Sequence, residues 1–123
     1  MPTIALIAHD GKKDELVAFS ARHKQQLAAV SLIATGTTGQ RINEATELPV
    51  TRMLSGPLGG DAQIASKVAQ GEVAGVVFIV DPLQAHPHDP DIRGLMRVCN
   101  VHNIPLATNI ASAEMLIDSL IQV

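Results

Sequence analysis

Five short apolar runs divide the chain, and between them the hydrophobic residues recur at helical spacing. Thr3-Ile-Ala-Leu-Ile-Ala8 is apolar without alternation, as in a central parallel strand covered on both faces. Leu16, Phe19, His23 and Leu27 then fall on one stripe, which predicts an amphipathic helix from about Lys12 to Ala28. A second strand is expected over Val30 to Ala34, a short helix over Gln40 to Ala45, and a third strand over Val50 to Leu54. Asp61 to Gln70 places Ile64, Ala65 and Val68 on one face, with Gly71 where a helix-ending glycine belongs. Gly75 to Val80 is the clearest buried strand. Ile92, Leu95, Met96 and Cys99 mark the next helix, Pro105 to Thr108 the last strand, and Ala113, Leu116, Ile117 and Leu120 the final helix, with Asn109 as its cap.

Strand and helix thus alternate about five times, with no linker, repeat or low-complexity segment. That order predicts right-handed βαβ crossovers and an α/β fold. The expected form is a three-layer α/β/α sandwich, a mostly parallel five-stranded sheet with helices on both faces. Ligands of such sheets bind outside the carboxyl ends of the strands. The polar residues gather there: His9, Asp10 and Lys13 after the first strand, Thr35 to Thr38 after the second, and Ser55 to Asp61 after the third. Asp81 to Asp91 follow the fourth strand and Asn109 the fifth.

Composition narrows the class. With 123 residues, 46% hydrophobic and 17% charged, the chain reads as one globular domain spanning 1–123, and 2% aromatics make its core aliphatic. A net charge of −3 without a basic run argues against nucleic acid as a partner. The single cysteine, Cys99, excludes an internal disulfide and fits a reducing compartment. The longest apolar run, Val73 to Val80, is too short for a bilayer, and a strand pattern begins at once, so no membrane partner and a cytoplasmic location are expected.

Leu54-Ser-Gly-Pro-Leu-Gly-Gly-Asp61 is the stretch on which the candidate chemistry centres. Its glycines and proline permit a tight bend and close approach of backbone to a small ligand. Asp61 reads either as a general base or as a plain helix cap. Thr35-Gly36-Thr37-Thr38-Gly39 offers hydroxyls and open N–H groups suited to phosphate, or else forms an ordinary capped turn. Lys13 and Ser55-Gly56 could serve the same anion, and neither GxxxxGK[ST] nor GxGxxG occurs to suggest a nucleotide. In His86-Pro-His88-Asp89-Pro-Asp91, Asp89-Pro90 makes a good cap pair, while His88 and Asp91 remain as candidates to hold or relay a proton. A metal reading of the histidines lacks any HExxH or cysteine cluster. Cys99 reads as a small core residue, His23 and His102 as packing or surface residues, and Asp81 as a cap or as the orienting partner of a histidine.

These loops resemble methylglyoxal synthase over nearly the whole chain, through Ala8-His-Asp-Gly-Lys-Lys13, Ala34-Thr-Gly-Thr-Thr-Gly39, Leu54-Ser-Gly-Pro-Leu-Gly-Gly-Asp61, Asp81-Pro-Leu, Pro87-His-Asp-Pro-Asp91 and Ala107-Thr-Asn109. The resemblance implies a carbon–oxygen lyase that converts dihydroxyacetone phosphate to methylglyoxal and inorganic phosphate, with no metal or organic cofactor. By that likeness Asp61 is the base, His88 handles the proton on the enediol oxygens, Asp91 and Asp10 are supporting catalytic carboxylates, and Asp81 orients His88. Phosphate binding falls to Lys13, Thr35, Gly36, Thr37, Thr38, Ser55 and Gly56, with His9 and His88 also touching substrate. The family also implies a homohexamer, with Arg97 near the subunit interface and phosphate as product and inhibitor. The rival reading is a freestanding phosphate- or nucleotide-sensing module of the same fold, which would not require Asp61 or His88.

Overall fold

The structure, a computed structural model, describes residues 1–83 and 92–121. Its strands are β1 (Thr3–Ala8), β2 (Ser31–Ala34), β3 (Thr51–Arg52), β4 (Gly75–Ile79) and β5 (Leu106–Ala107). They form one five-stranded sheet in the order β3-β2-β1-β4-β5, and every pairing is parallel. The helices are α1 (Lys13–Arg22), α2 (Lys24–Leu27), α3 (Gly36–Thr46), α4 (Gly60–Ala69), α5 (Ile92–His102) and α6 (Ile110–Leu120). The α/β/α sandwich expected from the pattern is therefore the fold.

The central strand shows why its run is apolar throughout. Ile4, Leu6 and Ala8 face a core completed by Leu16 and Phe19 of α1, Ile42 of α3, and Ala113 and Ile117 of α6. Ala5 and Ile7 face the opposite core, with Ile64 and Val68 of α4 and Leu95 and Cys99 of α5. Each large aliphatic side chain enclosed this way contributes roughly 1.5–3 kcal/mol, so both layers depend on β1. From β1 to β3 the chain steps outward in one direction, with α1 and α3 on one face. It then crosses to the other side of β1, and α4 and α5 lie on the opposite face. With parallel strands and one crossover hand, reversing the direction of travel must change the face that carries the helix.

Of the boundaries that differ from the periodicity, four have a cause in the packing. The helix expected over 12–28 is a single 3-10 turn at Asp10–Lys12, then α1, then α2 after a break at His23. There the backbone leaves helical angles (φ −109°, ψ 24°), while the ring rests on Phe19 and Nδ1 pairs with the Gln26 side chain. Helix α3 begins four residues before Gln40, because Gly39 N–H already donates to the Thr35 carbonyl. Strand β3 stops at Arg52 rather than Leu54, because the Leu54 N–H is taken by the Gln63 side chain at 2.7 Å. Helix α4 begins at Gly60, ahead of Asp61, for a reason that belongs to the site.

Candidate functional site

All five strands run the same way, so their carboxyl ends share one edge, and the direction of chain travel reverses between β1 and β4. A crevice is expected at that switch. His9, just past β1, lies in it. Its N–H donates to the Ile79 carbonyl (3.1 Å) and its ring meets Phe78 edge-on. The ring is buried at 5% exposure, which demands partners for its nitrogens, and Nδ1 accepts the Asp81 N–H at 2.9 Å. A ring nitrogen that accepts from an amide carries no proton, so the neutral tautomer has its proton on Nε2. Asp81 adds its carboxylate at the same place. Oδ1 accepts the Leu83 N–H (3.0 Å), and Oδ2 lies so close over Gly11 that a Cβ there would come within 2.6 Å.

Asp10 opens the 3-10 turn after His9, and Lys13 is the first residue of α1. Lys13 Nζ pairs with Asp10 Oδ1 at 2.8 Å, which holds the ammonium on the ligand edge of the sheet.

The threonine–glycine stretch is not a free loop. Thr35 stands at the cap position of α3, but its side chain makes no capping bond, so the capped-turn reading does not hold. The first turn keeps open donors as a result. Thr37 is exposed there, whereas Thr35 and Thr38 are buried. Thr38 Oγ1 has no hydrogen-bond partner among the described residues, a costly state for an enclosed hydroxyl. Gly36 is packed against the third loop: its N–H donates to the Leu54 carbonyl (3.3 Å), and a Cβ would stand 3.2 Å from Met53 O and 3.3 Å from Ser55 N.

The third loop closes in a single 3-10 turn at Gly56–Leu58. The Leu58 and Gly60 N–H groups both donate to the Ser55 carbonyl, each at 3.0 Å. Gly59, at the cap position just ahead of α4, has φ +99°, a conformation that favours glycine. Gly60 passes so close beneath Leu54 that a Cβ would lie 1.7 Å from its carbonyl oxygen. Helix α4 therefore starts before Asp61, and the plain-cap reading of Asp61 falls with it: Gly59 holds the cap position with no side-chain bond. Asp61 sits half-buried in the first turn, and among the described residues its carboxylate has no hydrogen bond or ion pair.

The described part of the site thus joins the starts of α3 and α4 through Leu54, and joins β1 to β4 through His9 and Asp81. His88 and Asp91 lie outside the described residues, as do His86 and Asp89. Among the described residues no group of three or more His, Cys, Asp or Glu could hold a metal ion. Asn109 caps α6, its Oδ1 accepting the Ser112 N–H at 2.8 Å. Arg97 is exposed on α5, His102 ends that helix, and burial raises the Cys99 thiol above its ordinary pKa. A groove of about 320 Å³ between Lys12, Val80, Thr108 and Asn109 opens on the ligand edge. A larger cavity of about 800 Å³ touches Met1, Thr3 and Ser31, towards the amino ends of β1 and β2, so cavity size does not mark where the polar loops meet. Gln63 and Gly11 were not singled out by sequence, because the bond of one and the crowding of the other exist only across loops.

A doubly wound parallel sheet with an anion-ready helix start and a carboxylate at its carboxyl edge defines a class of small α/β proteins. Within it, residues 15–108 match the family model described as the MGS-like domain, and the chain belongs to that family. It is 65% identical over 117 residues to the methylglyoxal synthase of Thermus thermophilus, covering 95% of this chain and 93% of that protein. The methylglyoxal synthase of Burkholderia multivorans is 59% identical over 119 residues, covering 97% and 92%. The crystal structure of methylglyoxal synthase from Elizabethkingia anophelis NUHP1 matches with a TM-score of 0.92 at 46% identity, over 94% of this chain and 76% of that one. Likeness at this level along almost the whole chain marks it as an enzyme. No helix among the described residues is long and apolar enough to cross a membrane.

Proposed function

We propose that the chain converts dihydroxyacetone phosphate to methylglyoxal and inorganic phosphate, as a carbon–oxygen lyase. The observation that carries the reading is Asp61, a half-buried carboxylate with no bond among the described residues, on a helix joined through Leu54 to the uncapped start of α3. A base must stay unengaged until substrate arrives, and the anion it works on must be held at a fixed distance.

In this mechanism Asp61 takes a proton from the hydroxymethyl carbon of the substrate, leaving an enediolate. His88 donates to the carbonyl oxygen and then moves the proton between the two enediol oxygens, oriented by Asp81 and supported by Asp91. His9 donates from Nε2 to the substrate, the tautomer that its bond to the Asp81 amide requires. Lys13, paired with Asp10, supplies a positive charge to the phosphoryl group, and Thr35, Thr37, Thr38, Ser55 and Gly56 supply N–H and O–H donors, while Gly36, its own N–H bonded to the Leu54 carbonyl, lets the anion approach the backbone without a side chain in the way. The enclosed Thr38 hydroxyl gains a partner when a phosphate oxygen arrives. Electrons from the deprotonated enediol oxygen then form an aldehyde carbonyl, the double bond moves, and the C–O bond to phosphate breaks. The released enol takes up a proton at its terminal carbon and gives up its hydroxyl proton to become methylglyoxal. Phosphate leaves in this way only when its C–O bond stands perpendicular to the enediol plane, and the donors of α3 are what hold that angle.

The same reading takes residues 1–123 as one cytoplasmic domain that needs no cofactor, works as a homohexamer, and is inhibited by its product phosphate. Sedimentation equilibrium tests the hexamer, and a monomer at assay concentration would refute it. The activity is tested by incubating purified protein with dihydroxyacetone phosphate in excess chelator while assaying methylglyoxal and free phosphate together. Equal release is expected. No turnover, together with saturable binding of phosphate or a nucleotide, would make these loops a sensor site instead.

A further inference from the structure

We propose that Gln63 is a positioning residue that sets the spacing between the base and the phosphate subsite, and so decides whether the enediol intermediate loses phosphate. The inference rests on the function proposed above. Gln63 lies two residues after Asp61 on α4, with its side chain exposed. An exposed glutamine on a helix ordinarily points into water, yet here Oε1 accepts the Leu54 N–H at 2.7 Å. The carbonyl of Leu54 in turn accepts the Gly36 N–H at 3.3 Å, at the first residue of α3. One residue, Leu54, therefore links the helix of the base to the helix start of the phosphate cradle through its N–H on one side and its carbonyl on the other, and Gln63 makes the side-chain half of that link. Leu54 is 49% exposed, so water can replace the bond when the amide is lost. The fold then survives, while the spacing loosens.

Spacing matters at one step above all. The enediol phosphate can take up a proton at its central carbon and return as glyceraldehyde 3-phosphate, breaking no C–O bond. Alternatively it can expel phosphate with the bonding electron pair, which needs the perpendicular alignment. A cradle displaced relative to α4 slows only the second route.

The test compares Gln63→Met, which removes the acceptor, with Gln63→Glu, which keeps it, by measuring methylglyoxal and glyceraldehyde 3-phosphate formed from dihydroxyacetone phosphate. For Gln63→Met the ratio of glyceraldehyde 3-phosphate to methylglyoxal should rise at least about tenfold, since misplacement of about 1 Å costs up to ~10²-fold. For Gln63→Glu the ratio should stay as in the wild type, although the added charge raises KM for the anionic substrate. An unchanged ratio in Gln63→Met, or an equal rise in both variants, overturns the proposal. If Gln63→Met does not fold, Gln63→Asn, one methylene too short to reach Leu54, is judged by the same ratio. A wild type that releases no methylglyoxal would instead remove the functional reading on which this one stands.

Discussion

Gly60→Ala puts the backbone knot at the site under direct strain. The added Cβ would lie 1.7 Å from the Leu54 carbonyl oxygen and 2.7 Å from its carbon, both backbone atoms that cannot rotate away. Bringing that contact to about 3.0 Å, the limit that real Cβ atoms respect, moves the two strands of backbone apart by about 1.3 Å. Overpacking of this kind costs roughly 1–3 kcal/mol, and straining the Leu54 bonds to Gly36 and Gln63 adds about 1 kcal/mol each. The total is about 3–5 kcal/mol, which at ~2.1 cal/mol/K per residue lowers Tm by roughly 10–20 °C. Gly59→Ala is the matched control, since its φ of +99° is strained for alanine but nothing lies within 4 Å. It should cost about 1–2 kcal/mol, or roughly 4–8 °C. Thermal unfolding followed by circular dichroism measures both. A Gly60→Ala protein that melts no lower than Gly59→Ala would refute the crowding argument. The surviving folded fraction should also have lost turnover, by up to ~10²-fold for a displacement near 1 Å.

Three further outcomes are expected. Asp61→Asn should lose about 10²–10⁴-fold in turnover with Tm almost unchanged, because the carboxylate makes no bond among the described residues whose loss would destabilise the fold; near wild-type turnover would end its assignment as base. Thr38→Val, which replaces an enclosed hydroxyl without a partner among the described residues, should hold or raise Tm of the free protein by a few degrees, about 1 kcal/mol, while weakening phosphate binding in calorimetry. A lower Tm would mean the hydroxyl is already satisfied. Burial raises the pKa of Cys99, so its contribution to stability is fully present below the ordinary thiol value of about 8.5 and falls as pH rises above it. Native protein at pH 8 should therefore react with a thiol reagent only at the rate of unfolding, and a fast stoichiometric reaction would contradict its burial.

Layer structure was legible because it depends on local pattern. The unbroken apolar run at Ile4 to Ala8 could only be buried on both faces, and the spacing of Leu95 and Cys99 could only suit a helix. Asn109 as cap and Gly71 (φ +77°) at the end of α4 follow from the preferences of single residues. The sites of misreading share a different cause. Glycine and threonine at 35–39 have low helix propensity, yet Gly36 to Gly39 are helical because Met53 and Ser55 pack against Gly36 and the Leu54 carbonyl accepts its N–H. Asp61 has every local feature of a cap, yet the left-handed Gly59 starts the helix ahead of it.

The sequence by itself determined the α/β order, the sheet edge on which the polar loops fall, and the family resemblance carried by those loops. Tertiary structure alone decided that Leu54 ends its strand to bond Gln63, that His9 accepts the Asp81 amide, and that Thr38 is enclosed without a partner among the described residues. The physical reason is reach. Propensity and periodicity act over a few neighbouring residues, whereas each of these bonds and contacts depends on where separate loops meet, and only the packing of both helix layers on β1 brings them there.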